Sequence, residues 1–137
     1  MAFEPNSWVR ATARAVAGEH FHIEGDDGPE VDPLMALEAL GQSSALLMLL
    51  SHGLDQSGML VSVGRIEVMG VIRPGQVLEL RADVVPGREA WITAGTVSVH
   101  GRPVLAATDL MAVFVHAGDL EERASLERRM AHIAPRR

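Results

Sequence analysis

The sequence predicts an α+β fold in which an antiparallel sheet covers one long helix, and three observations predict it. An almost wholly apolar segment carries helix-ending residues at both ends; four strand-like segments separated by compact turns follow it; one strand-like segment precedes it. The helix spans 32–53. Asp32 is a good N-cap, Pro33 suits the first helical position, and Gly53 suits the left-handed residue that ends a helix. Between them apolar side chains point in nearly every direction, the pattern of a helix surrounded by protein. Glu38 is the one carboxylate within it, and burying an ionised carboxylate without a partner is costly. Gln42 lies one turn further on the same face, and Gly41 leaves space beside the two.

The other elements follow from periodicity and turn chemistry. Trp8 to Phe21 alternates loosely, as in Val9-Arg10-Ala11-Thr12-Ala13-Arg14, and reads as a strand. Glu24-Gly25-Asp26-Asp27-Gly28-Pro29-Glu30 is a dense turn cluster and reads as a loop. Met59 to Ile72, Gln76 to Val85, Glu89 to His100 and Pro103 to His116 read as strands. Arg73-Pro74-Gly75-Gln76 has Pro and Gly where a type II turn wants them. With Pro86-Gly87-Arg88 and His100-Gly101-Arg102-Pro103 it favours antiparallel hairpins, hence a meander. An open sheet of this size leaves an edge strand, which pairing two protomers edge to edge would remove, so a dimer is expected. Residues 1–117 read as one domain and 118–137 as a charged C-terminal helix or tail.

Bulk properties narrow the function. The chain has 137 residues, no cysteine and a net charge of −6. Disulfides and thiolate nucleophiles are therefore excluded, and nucleic acid, which demands a basic face, is not an expected partner. The start, Met1-Ala2-Phe3-Glu4-Pro5, lacks the basic and apolar regions of a signal peptide, and the Ala45 to Leu50 run is too short for a bilayer, so a cytoplasmic protein without a membrane span is expected.

Three segments carry a family resemblance. Glu38-Ala39-Leu40-Gly41-Gln42 is similar to the helix motif Glu-Ala-Leu-Ala-Gln of the hotdog-fold 3-hydroxyacyl-ACP dehydratases of fatty-acid and polyketide synthesis. Ile66 to Gln76 resembles that family's strand ending Arg-Pro-Val-x-Pro-Gly-Asp. Val97 to Thr108 looks like the strand pair around its Val-Asp-Gly turn. The resemblance implies a dimeric hotdog fold and a hydro-lyase acting on acyl thioesters carried by acyl carrier protein or coenzyme A, without a metal or other cofactor. In the family a histidine takes the proton beside the thioester carbonyl and the helix carboxylate protonates the leaving hydroxyl, the two coming from opposite subunits. Glu38 matches that carboxylate. Apolar surroundings favour its neutral, proton-donating form, and hydrogen bonds to the ionised form oppose this. Gln42 matches the family's polar helix residue and would orient Glu38 or the departing water; Gly41 and the Pro74-Gly75 turn join it as substrate-binding or supporting residues.

The family's histidine position falls on Glu24. His22 or His20, displaced in the loop, would then supply the base, or a related His-bearing hotdog subunit would, in a heterodimer. A thioesterase using Glu38 to activate water or attack the thioester, and a non-catalytic partner subunit, are the alternatives on the same fold. His20, His22 and Glu24 suit zinc or iron in type, but His-x-His alone is common, and no metal is assigned. Ser43-Ser44 lacks a nucleophile elbow and reads as helix packing. His52 reads as a partner of the helix's negative end. Arginines at 123, 128, 129, 136 and 137 could meet an acidic carrier protein, but they alternate with Glu121, Glu122 and Glu127 and read as a solvated helix.

Overall fold

The computed structural model describes residues 1–16, 21–119 and 122–133. Its strands are β1 (Ala2–Glu4), β2 (Trp8–Arg14), β3 (His22–Gly25), β4 (Gly28–Val31), β5 (Gln56–Val68), β6 (Val77–Val84), β7 (Trp91–Val99) and β8 (Arg102–His116); its helices are α1 (Pro33–Ser51) and α2 (Arg123–Ile133). Six strands form one antiparallel sheet in the order β1-β2-β6-β7-β8-β5, and β3-β4 is a separate hairpin. The sheet wraps α1, which packs against β5, β6, β2, β8 and β7. Ala36, Leu40, Leu47 and Met48 of α1, all fully buried, meet inward residues such as Val9, Leu78, Val97 and Leu110.

The helix ends are set locally. Asp32 accepts a hydrogen bond from the Leu34 amide at 2.9 Å, with Pro33 at the first helical position. His52 caps the other end, its Nδ1 lying 2.8 Å from the Met48 carbonyl, and Gly53 takes the left-handed turn at φ +63. By length and hydropathy the whole of α1 could cross a membrane, which the Ala45 to Leu50 run alone did not suggest. Its side chains in the sheet's core make it the central helix of a folded domain.

Three expectations need correction. The segment read as one loop, 24–30, is largely the β3-β4 hairpin, with Gly25 opposite Gly28 around an Asp26-Asp27 turn. Next to the turn its strands carry Gly25, Gly28 and Pro29, turn-type residues that masked the short strand signal of Ile23 and Val31. The Arg73-Pro74-Gly75-Gln76 turn has the expected type II form, with Gly75 at φ +87 and the Gln76 amide 3.2 Å from the Arg73 carbonyl. It is not a hairpin, however: β5 pairs with β8, and the chain crosses to β6, so only β6-β7-β8 is a meander. The first strand ends at Arg14, and residues 17–20 of the expected Trp8 to Phe21 strand lie outside the described residues.

On the outer face of the sheet Trp8 lies between the guanidinium groups of Arg10 and Arg81, at 5.4 and 5.3 Å, and donates its Nε1 hydrogen to Glu4. Hydrogen bonding to Asp83 pushes the Arg81 guanidinium above its ordinary range. At the far edge β5 presents Met59, Val61, Ile66 and Val68 in exposed positions, with strand pairing only toward β8 among the described residues.

Candidate active site

The α1 helix brings Glu38 and Gln42 together as their four-residue spacing requires, and the Gln42 amide donates to Glu38 Oε1 at 3.2 Å. Both side chains are exposed, which corrects the expectation of a buried carboxylate. The physical reason lies in the wrap of the sheet. Strands cover the helix face carrying Ala36, Leu40, Ser44 and Leu47, while the opposite face, which includes Leu34 at 58% exposure and the Glu38-Gln42 pair, is covered among the described residues toward its C-terminal end, where Met130 of α2 packs with Leu49. Gly41 is buried, and a Cβ there would lie 3.2 Å from Leu60 Cδ2, so the space it leaves is used by β5.

Beside this face is a trough of about 700 Å³, within the range of small-ligand sites. Ala39, Gln42 and Ser43 line one end along the helix, Leu46 and Leu49 the other, with β2 and β6 as a wall, and Ser57 of β5 and Met130 of α2 completing the lining.

His22 stands on β3 opposite Val31, just before the helix cap, and its Nε2 lies 2.6 Å from Glu24 Oε1. No hydrogen bond or ion pair joins it to Glu38 among the described residues. His20 lies outside the described residues. Pro74 and Gly75 sit at the exposed turn, where Gly75 bonds to Ala15 through its amide and to Arg14 through its carbonyl. Arg73 reaches the Asp27 and Pro29 carbonyls at 3.4 and 3.5 Å, and Ile72 bridges Val31, so this crossover is tied to the hairpin that carries His22. The chain thus assembles Glu38, Gln42 and Gly41, and places His22 and the Pro74-Gly75 turn elsewhere.

Behind the Glu38 face lies a polar contact that pattern reading missed. Ser44 Oγ is 3.0 Å from Thr93 Oγ1 and accepts from Trp91 Nε1 at 3.3 Å, all three residues being buried. Trp91 in turn meets His52 and Phe114 edge to face, with ring centroids 5.9 and 6.2 Å away. The two Ser44 contacts span more than forty residues of sequence, and only the reading of Ser43-Ser44 as packing pointed toward them. Ser43 bonds back to the Ala39 carbonyl at 2.9 Å.

A six-stranded antiparallel sheet wrapped around one long helix, with a carboxylate-amide pair on the helix's open face, defines a hotdog protein. The chain belongs to the hotdog 3-hydroxyacyl-ACP dehydratase-like family. It is 33% identical over 120 residues, 82% of this chain and 75% of the relative, to the 3-hydroxyacyl-(acyl-carrier-protein) dehydratase FabZ of Anaeromyxobacter sp. (strain Fw109-5). No family model matches the chain. Among solved structures it resembles smu.793 from Streptococcus mutans UA159 bound to acetyl CoA (TM-score 0.65, 16% identity, 85% of this chain and 86% of that one). It also resembles the fluoroacetyl-CoA thioesterase FlK (TM-score 0.66, 6% identity, 94% and 98%). A third likeness is to the dehydratase heterocomplex ApeI:P of Xenorhabdus doucetiae (TM-score 0.57, 14% identity, 91% and 82%). At these identities the solved structures establish the fold.

Proposed function

We propose that this chain is the Glu-bearing subunit of a dehydratase acting on 3-hydroxyacyl thioesters held by acyl carrier protein or coenzyme A. The observation that carries the reading is the Glu38-Gln42 pair on the open face of α1, in a chain related to a dehydratase of that class. Glu38 protonates the 3-hydroxyl, which leaves as water. A base removes the C2 proton, and the electron pair of that C–H bond forms the C2–C3 double bond. Gln42, which lines the trough, donates to the Glu38 carboxyl and fixes its orientation.

The base comes from a second hotdog subunit laid over the exposed face of α1, in contact through the free edge of β5. In a homodimer it is the partner's own copy of His22, released from Glu24; in a heterodimer it is a histidine of a related chain. The exposure of Glu38, and the engagement of His22 within its own hairpin, favour a site completed by another subunit. Hydrolysis, with Glu38 activating water, is the second reading, favoured by the lack of contact between Glu38 and any histidine among the described residues.

The test is to purify the protein alone and with a co-expressed relative, then follow 3-hydroxyacyl and acyl thioesters by intact mass. Loss of water supports dehydration, release of free acid supports hydrolysis, and full turnover by the isolated homodimer refutes the heterodimer. Glu38→Gln lowers turnover about 10²–10⁴-fold while the protein stays folded. Unchanged turnover would remove Glu38 from the mechanism.

A further inference from the structure

We infer that α2 sets the length of acyl chain the trough accepts, with Met130 as its stop; this rests on the acyl-thioester reading above. The trough runs along α1 from Gln42 and Ser43 to Leu46 and Leu49, with Ser57 of β5 also in its lining. At the first end Gln42 is bonded to the Glu38 carboxylate. At the other, Leu46 and Leu49 meet Met130, which is 6% exposed and packs with Leu49, Ala117, Leu50 and Leu54. A thioester reacting at Glu38 would therefore extend its hydrocarbon tail toward α2.

The described contacts of α2 are one apolar anchor and a polar clamp. The helix has 11 residues, too short to be stable alone, and Met130 is its buried apolar contact among the described side chains. A polar clamp holds its start. Arg123 binds the Asp55 carboxylate, donates to the Gly53 carbonyl at 3.2 Å and pairs with Glu127 at 3.0 Å, which fastens the start of α2 to the end of α1. A cation at a helix C-terminus also meets the negative end of the helix dipole. Held there, α2 brings the Met130 thioether to the Leu49 end of the trough.

The geometry sets a length. Leu49 stands seven positions beyond Gln42, about 10 Å of helix rise. An extended chain advances ~1.2 Å per bond, so about eight to ten carbons reach Met130.

The probe is a series of straight-chain alkyl-coenzyme A thioethers of increasing length, which can neither dehydrate nor hydrolyse, titrated by calorimetry into the full-length protein. Affinity should rise about fourfold per methylene until the stop and then level off. Met130→Ala and Arg123→Ala should each move that break to longer chains, Met130→Ala by about two carbons, and Met130→Phe should move it to shorter ones. A break at the same length in all four proteins overturns the inference, as does affinity independent of alkyl length, the result expected if a second copy fills the trough. The outcome separates from that of the reaction. A protein whose break follows residue 130 but which removes no water refutes dehydration and keeps the stop; one that dehydrates with a fixed break refutes the stop alone.

Discussion

Replacing Gly95 with alanine puts a methyl group where β6, β7 and α1 are already in contact. The added Cβ would lie 2.4 Å from the Arg81 carbonyl oxygen and 2.8 Å from Leu40 Cδ1. The first obstacle is backbone and cannot rotate away. The second belongs to a fully buried side chain with little freedom to yield. Relief requires β6 and β7 to separate by more than half an ångström, or α1 to lift. Overpacking of this kind costs about 2–4 kcal/mol, against less than ~1 kcal/mol recovered from removing a strand glycine. For a domain of this size, with total stability of about 10 kcal/mol, the melting temperature should fall by about 5–10 °C. Urea unfolding followed by tryptophan emission measures the difference. A midpoint corresponding to less than about 0.5 kcal/mol of destabilisation would show that the sheet has slack there and refute the reasoning. Since Leu40 stands two residues beyond Glu38, turnover per folded molecule should fall too.

Three further substitutions probe how α1 is held. Ser44→Ala removes the partner of Trp91 Nε1 and of Thr93 Oγ1; with about 0.5 kcal/mol regained from helix propensity, the net loss should be about 1–2 kcal/mol in chemical denaturation. Thr93→Val in that background should add less than it does alone, and full additivity would show that the hydroxyls act separately. Asp32→Ala should cost about 1 kcal/mol through loss of the Leu34 cap and raise amide exchange in the first turn of α1; unaltered exchange there would show that Pro33 and the hairpin suffice to start the helix.

What the sequence revealed follows the range of each signal. The ends of α1 were legible because capping acts over two or three residues: Asp32, Pro33 and Gly53 each do what their chemistry predicts. The Glu38-Gln42 pair was legible because helical spacing fixes it. By contrast, a Pro-Gly turn has the same form whether the next strand folds back beside the last or crosses the sheet, so the β5 to β6 crossover could not be read from Pro74 and Gly75. The exposure of Glu38 was hidden for a related reason. Apolar residues all round a helix announce that something covers it without saying that the cover is the same chain. Ser44, Trp91 and Thr93 meet only after the sheet has closed on the helix, beyond the reach of any local pattern.

The two tryptophans lie on opposite faces of the sheet. Trp91 is buried against Ser44 and His52, and Trp8 rests outside between two arginines. The protein thus contains two optical reporters with separate territories. Emission from Trp91 follows the seating of α1, and so the position of Glu38 as the trough fills; emission from Trp8 follows the β1-β2 edge. A Trp8→Phe variant would therefore make intrinsic fluorescence a direct gauge of the helix on which the proposed chemistry depends.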